Sequence, residues 1–149
     1  MLFKTIKSIL KGANIISSKW VFKYKKYSNG IIIKRKARLV ARGFTQRYGI
    51  DYIFTFSPTL KLDSFRIIIS IALRKRFKIV QIDINAAYLN AEIKEELYMK
   101  APEGYSSYNI TFWKLNKAIY GLKQAGRAWN EKLNNVLLGI NFNRLTTEP

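Results

Sequence analysis

The stretch Gln81-Ile82-Asp83-Ile84-Asn85-Ala86-Ala87-Tyr88-Leu89 constrains this chain most strongly. From Phe77 to Ile84 the pattern is that of a strand. Val80, Ile82 and Ile84 share one face, and Ile79, Gln81 and Asp83 share the other. The pattern predicts a buried strand that ends on a carboxylate, with an aromatic, Tyr88, five residues later. A second marked run, Tyr120-Gly121-Leu122-Lys123-Gln124-Ala125-Gly126-Arg127-Ala128-Trp129, lies some thirty positions on.

Around this strand the rest of the chain falls into order. Met1 to Gly12 carries Leu2, Phe3, Ile6, Ile9 and Leu10 with Lys4, Lys7 and Lys11 between them, which predicts a first helix docked on the core or an amphipathic leader over residues 1–17. Trp20, Phe22 and Tyr24 alternate with Val21, Lys23 and Lys25, the turn signal Ser28-Asn29-Gly30 follows, and Ile31 to Phe44 resumes as a second strand. The result is a basic hairpin with Lys34, Lys36 and Arg38 on one face. Thr45 to Pro58 reads as an irregular connection. A helix capped by Asp63 or Ser64 runs through Phe65, Ile68, Ile69, Ala72 and Leu73. Short strands are expected over Glu96–Lys100 and Phe112–Ala118, and a helix from Gln124 carries the stripe Ala125, Ala128, Trp129, Leu133, Val136 and Leu137. Hairpin, helix, strand, small strands, helix is an α+β order.

At 149 residues this is one domain or part of one, and a hydrophobic content of 48% supports a packed core. The net charge is +18. Residues 1–50 hold 13 Lys and Arg and no acid, whereas residues 51–149 hold 14 basic and 9 acidic residues. The positive field therefore belongs to the first third and favours nucleic acid or an anionic surface. Without cysteine or histidine, the chain has no disulfide, thiolate metal site or imidazole-based triad. Any metal is left to carboxylate oxygens, which suits Mg²⁺ or Mn²⁺. No apolar run reaches the roughly 18 residues that span a bilayer. Phosphoryl transfer needs carboxylates that hold two divalent ions about 4 Å apart. Asp83 at a strand end suits that task, though from spacing alone a cap or turn residue is the plainer reading.

Eight segments, in order, resemble the reverse transcriptase domain of copia-type LTR retrotransposons: Lys19-Trp20-Val21-Phe22-Lys23, Lys36 to Phe44, Gly49-Ile50-Asp51-Tyr52, Thr55-Phe56-Ser57-Pro58, Gln81-Ile82-Asp83, Leu97-Tyr98-Met99, Pro102 to Tyr105 and Tyr120 to Ala125. The resemblance covers residues 18–149. It implies the fingers (about 18–76) and a partial palm (about 77–149) of a right-hand polymerase, truncated before the second catalytic hairpin. By matched position, Asp83 is the first catalytic, metal-binding carboxylate. Lys36 and Arg38 meet the incoming triphosphate or the template, and the backbone of Ala86 and Ala87 lies near the triphosphate. Tyr88 stacks beneath the sugar and disfavours a 2′-hydroxyl. Tyr120 and Gly121 form the turn beside the nascent base pair, and Lys34, Lys123 and Arg127 are placed to reach nucleic acid. Each has a plainer reading as a solvated cation, a packed small residue or a core aromatic, and Trp129 reads as core. The implied partners are an RNA template, a DNA primer and dNTPs, with Mg²⁺ or Mn²⁺. The implied setting is intracellular, in a cytoplasmic particle or the nucleus.

The sequence departs from the family pattern in two places. The family's adjacent Asp pair has no counterpart, because no Asp follows Asp83 and the later acids are Glu92, Glu95, Glu96, Glu103, Glu131 and Glu148. Phe54 stands where the family usually carries Glu. One carboxylate does not place two ions, so the chain alone is expected to be inactive. A palm without its central hairpin is expected to leave a sheet edge and apolar surface uncovered. A non-catalytic RNA- or DNA-binding module and a decayed remnant are the rival readings.

Overall fold

A computed structural model describes residues 1–6, 8–9, 11–105 and 112–144. Its centre is a four-stranded sheet in the order β1-β6-β5-β2, with β1 Phe3–Ile6, β2 Ile15–Ile16, β5 Glu92–Lys100 and β6 Phe112–Lys117. β6 pairs antiparallel with both β1 and β5, and β2 adds in parallel to β5. Leu97, Tyr98 and Met99 are buried in succession, as a strand covered on both faces requires. Helix α2, Ala125–Gly139, packs on β5. Ala125 at its start is buried, and Ala128 and Trp129 pack against the core formed with Ile16, Leu97, Met99, Trp113, Leu115 and Leu122. Trp129 thus packs half-buried against the core, as its place in the stripe implied.

The N-terminal segment corrects the sequence reading. Residues 3–6 are a strand, with Phe3 opposite Leu115 and Thr5 opposite Trp113. The Phe3 ring stacks on Trp113 at 3.8 Å between centroids. Apolar residues so closely spaced satisfy helix and strand periods alike, and the open edge of β6 decides for the strand. Phe3–Ile6 and Ile15–Ile16 thus join the main sheet as strands; Lys7 and Leu10 lie outside the described residues.

The hairpin forms as expected, from β3 Ser18–Lys26 and β4 Ile32–Ala41, closed by the Gly30 N–H to Tyr27 carbonyl bond at 3.0 Å. Helix α1 spans Leu62–Arg74. Its cap is Lys61 rather than Asp63 or Ser64, and Asp63 lies inside the first turn, where its charge suits the helix dipole. At the far end Arg76 takes a left-handed φ of 53°, with Arg76 N–H to Leu73 O and Phe77 N–H to Ala72 O closing a Schellman motif. No α1 residue is buried.

The expected strand over 77–84 is absent. The segment belongs to no strand, and Ile82 is 79% exposed. Its β-branched residues favour extension, but a strand also needs a ladder partner, and none pairs with it among the described residues. The fold is a mixed helix-and-strand domain in which the large apolar side chains of α1 and 77–84 stay outside the core and exposed. Among the described residues no helix is long and apolar enough to cross a membrane.

Candidate nucleotide and nucleic-acid interface

The hairpin register sorts its side chains into two faces. Directly opposed residues share a face in an antiparallel pair. Lys19, Val21, Lys23 and Lys25 face Val40, Arg38, Lys36 and Lys34. Ser18, Trp20, Phe22 and Tyr24 face Ala41, Leu39, Ala37 and Arg35. One face is thus a cationic ladder and the other is aromatic. Lys34 and Arg38 are exposed and Lys36 is half-buried. None of Lys23, Lys25, Lys34, Lys36 or Arg38 forms an ion pair with a described residue. A hollow of about 450 Å³ on the ladder is lined by Lys23, Tyr24, Lys25, Lys26, Lys36 and Arg38.

The base of this hairpin is joined to the Tyr120-Gly121 turn by backbone. The Ala41 N–H donates to the Tyr120 carbonyl at 2.8 Å. Gly121 has φ +94°, and a Cβ there would stand 2.1 Å from the Ala41 carbonyl oxygen. A Cβ on Gly43 would stand 2.2 Å from the Gly121 carbonyl oxygen. Only glycine permits this approach at either position. Tyr88 rides on the 3₁₀ turn Ala87–Asn90, which Ala91 fastens to the sheet through the Ala118 N–H to Ala91 carbonyl bond. Its half-buried ring packs on the core and lies 5.7 Å from the ring of Tyr120. Ala86, before the turn, is left-handed at φ 52° and ψ 43°, a conformation that costs a non-glycine residue about 1–2 kcal/mol.

Beneath the turn lies a buried polar network that the sequence reading missed. Gln46, Asp51 and Gln124 are all buried. Gln46 Nε2 donates to Gln124 Oε1 at 2.9 Å, and Gln46 Oε1 accepts from the Lys123 N–H at 2.8 Å. Gln124 Nε2 donates to the Asp51 carbonyl at 2.8 Å. The Asp51 carboxylate accepts from Asn14 Nδ2 at 2.5 Å and from the Arg47 N–H at 2.7 Å. The motif segments Gly49–Tyr52 and Tyr120–Ala125 thus serve to lock the turn onto the hairpin base. The available signal was Asp51, the first acid after a long basic run.

Lys123 and Arg127 are engaged within the protein. Lys123 Nζ donates to the Tyr52 hydroxyl at 2.9 Å and lies 4.7 Å from that ring's centre. Arg127 Nε donates to Glu131 Oε1 at 3.0 Å while its guanidinium sits 5.1 Å over Phe54. Lys94 completes the set at 2.6 Å from Glu131 and, with Arg127, holds that carboxyl below the ordinary range. Phe54 therefore offers Arg127 an aromatic face at the position where a carboxylate was expected.

Asp83 is exposed on the unpaired segment and bonds to no described residue. Among the described residues no three of His, Cys, Asp and Glu cluster to hold a metal. The described side chains do not make a two-ion site. The structure therefore brings together Lys36 and Arg38 on one face, and sets the Tyr88 ring beside the Tyr120-Gly121 turn. It leaves Asp83 without a second carboxylate.

The family described as reverse transcriptase (RNA-dependent DNA polymerase) matches residues 3–149. The chain is 43% identical over 130 residues to the retrovirus-related Pol polyprotein from transposon RE1 of Arabidopsis thaliana, covering 86% of this chain and 9% of that protein. It is 38% identical over 141 residues to the corresponding polyprotein from transposon TNT 1-94 of Nicotiana tabacum, covering 93% and 11%. It is 36% identical over 124 residues to the truncated transposon Ty1-A Gag-Pol polyprotein of Saccharomyces cerevisiae, covering 83% and 10%. The chain thus spans 9–11% of the length of these curated relatives. No solved structure matches it at a significant level.

Proposed function

This chain belongs to the reverse transcriptase family of copia-type Pol polyproteins, and on that premise we propose that it supplies the nucleotide- and template-gripping part of an RNA-directed DNA polymerase. In the intact parent the reaction is templated nucleotidyl transfer from dNTPs to a primer 3′-end. The hairpin serves as fingers, and the sheet with α2 serves as part of a palm. Lys36 and Arg38 neutralise phosphate through charge-assisted contacts. Tyr88 stacks beneath the sugar, and Tyr120 and Gly121 flank the nascent pair. The observation that carries this reading is the backbone bond from Ala41 to Tyr120 together with the Tyr88–Tyr120 ring contact. These contacts tie the base of the hairpin to the Tyr120-Gly121 turn and that turn to Tyr88, which supports a shared role for the three segments.

Asp83 is assigned as one carboxylate of the catalytic site, with its companions supplied from beyond these residues. The chain alone is expected to show no primer extension with Mg²⁺ and dNTPs. Joined to the downstream hairpin of a related polyprotein, it is expected to extend a primer, and Asp83→Asn is expected to abolish that extension. Extension by the 149-residue chain alone, or a joined protein indifferent to Asp83→Asn, refutes the assignment.

The unneutralised cationic ladder gives the gripping role a test that needs no chemistry. The chain's affinity for single-stranded RNA is expected to fall steeply with salt, by a log–log slope of about −0.7 per phosphate neutralised. Binding that ignores salt counts against it.

A further inference from the structure

We propose that Tyr120 is a positioning residue for sugar selection: its ring props Tyr88 in the path of a ribose 2′-hydroxyl. This role rests on the reading of Tyr88 as the residue beneath the sugar, and adds to it what keeps that ring in place. A ring excludes a hydroxyl group only if it does not yield when pushed. Tyr88 is half-buried and packs on the core. The ring of Tyr120 lies beside it, with centroids 5.7 Å apart and planes at 40°. That separation falls within the roughly 4.5–7 Å over which aromatic rings attract one another.

Backbone bonds fix which rings meet. The Ala118 N–H donates to the Ala91 carbonyl at 2.9 Å, so the segment that leads from β6 into Tyr120 is bonded to the end of the turn that carries Tyr88. Ala118 and Ile119 are buried, and the Tyr120 carbonyl accepts from the Ala41 N–H at 2.8 Å. Tyr120 is thus anchored through its main chain, while its side chain is 60% exposed. The turn beneath Tyr88 is the less secure partner. It is four residues long, no side chain caps it, and Ala86 at its entry sits in the left-handed region that disfavours a Cβ. Such a turn does little by itself to hold a ring against a load. Tyr120, seated on a firmly bonded main chain, supplies the resistance.

The first measurement uses the full 149-residue chain with isotope-labelled tyrosine rings. A nuclear Overhauser cross-peak between the Tyr88 and Tyr120 rings is expected. In Tyr120→Leu the Tyr88 side chain is expected to spread over more χ1 rotamers, read from its scalar couplings. A missing cross-peak, or a Tyr88 rotamer unchanged by Tyr120→Leu, overturns the role without recourse to activity. The second measurement joins the chain to the downstream hairpin and compares kcat/KM for dNTP and rNTP. Tyr120→Leu keeps apolar bulk but removes the ring, and is expected to lower the dNTP preference by about 3- to 10-fold, the worth of one aromatic contact. Tyr120→Phe keeps the ring and is expected to restore the preference. Tyr88→Ala is expected to remove most of it, with no further loss when Tyr120→Leu is added. If Tyr88→Ala lowers the preference and Tyr120→Leu does not, Tyr120 is no prop and the sugar-stacking role of Tyr88 stands. If Tyr120→Leu weakens dNTP and rNTP use alike, Tyr120 serves the nascent pair alone and the propping role is overturned. If Tyr88→Ala leaves the preference intact, the sugar-stacking reading fails and the propping role falls with it.

Discussion

Alanine at three glycines separates two physical costs that usually arrive together. At Gly49, φ is +79° and a Cβ meets nothing within 4 Å. Gly49→Ala therefore incurs the left-handed penalty alone, about 1–2 kcal/mol. At Gly43 φ is not in the left-handed range, but the new Cβ stands 2.2 Å from the Gly121 carbonyl oxygen. The two backbones must separate by about 1 Å, which strains the Ala41-to-Tyr120 bond, so we expect a loss of about 2–4 kcal/mol. Gly121 carries both burdens: φ +94°, the Ala41 oxygen 2.1 Å away and Val40 Cγ1 2.8 Å away. The expected loss is about 3–6 kcal/mol, a large share of the roughly 5–15 kcal/mol that holds a domain together. Thermal unfolding followed by circular dichroism reads these values, at about 2–4 °C per kcal/mol for a chain of this size. If Gly43→Ala and Gly121→Ala melt no lower than Gly49→Ala, the hairpin base and the turn are not interlocked.

Other changes probe the side chains. Asp51→Ala strands the Arg47 N–H and leaves Asn14 Nδ2 only its bond to the Thr45 carbonyl, so it is expected to cost about 2–4 kcal/mol in urea unfolding; Asp51→Asn keeps an oxygen acceptor and should cost about half. Equal losses would show that the carboxylate oxygen is not what these donors need. Phe54→Glu exchanges a cation–π contact with Arg127 for an ion pair and is expected to move stability by about 1 kcal/mol or less. The melting temperature of this variant relative to the parent should fall as salt rises from about 0.05 to 0.5 M; a salt-independent difference shows that Arg127 does not engage the new carboxylate. Glu131 is depressed below its ordinary value of 4.5 by its bonds to Lys94 and then Arg127. Its stabilising effect is thus present above pH 4.5 and fades as the pH falls through the folded-state value. Glu131→Gln should melt below the parent at pH 7 and converge with it in stronger acid; a constant gap across that range rejects the ion-pair origin.

The hairpin was legible because its determinants are local. Alternating Trp20, Phe22 and Tyr24, with a turn at Ser28–Gly30, specify both strands and both faces. The α2 stripe was legible for the same reason. β1 was misread because its period is ambiguous over four residues and its partner lies more than a hundred positions away. The 77–84 segment was misread in the opposite sense: its propensity for extension was real, but propensity supplies no neighbour. Of the candidate site, the family motifs marked Tyr88 and Tyr120 separately, and only the folded chain puts their rings side by side. The network of Gln46, Asp51 and Gln124 was hidden because its bonds join residues as many as 78 positions apart.

The ladder of the hairpin sets lysine against lysine, Lys23 to Lys36 and Lys25 to Lys34. Such pairs push the two strands apart, each by a fraction of a kcal/mol. A free hairpin therefore carries a built-in tendency to fray from its tip. Any polyanion laid along it relieves that repulsion, so its stiffness and its grip rise together. On the reading that it grips phosphate, the empty arm is a loose spring and the loaded one a clamp.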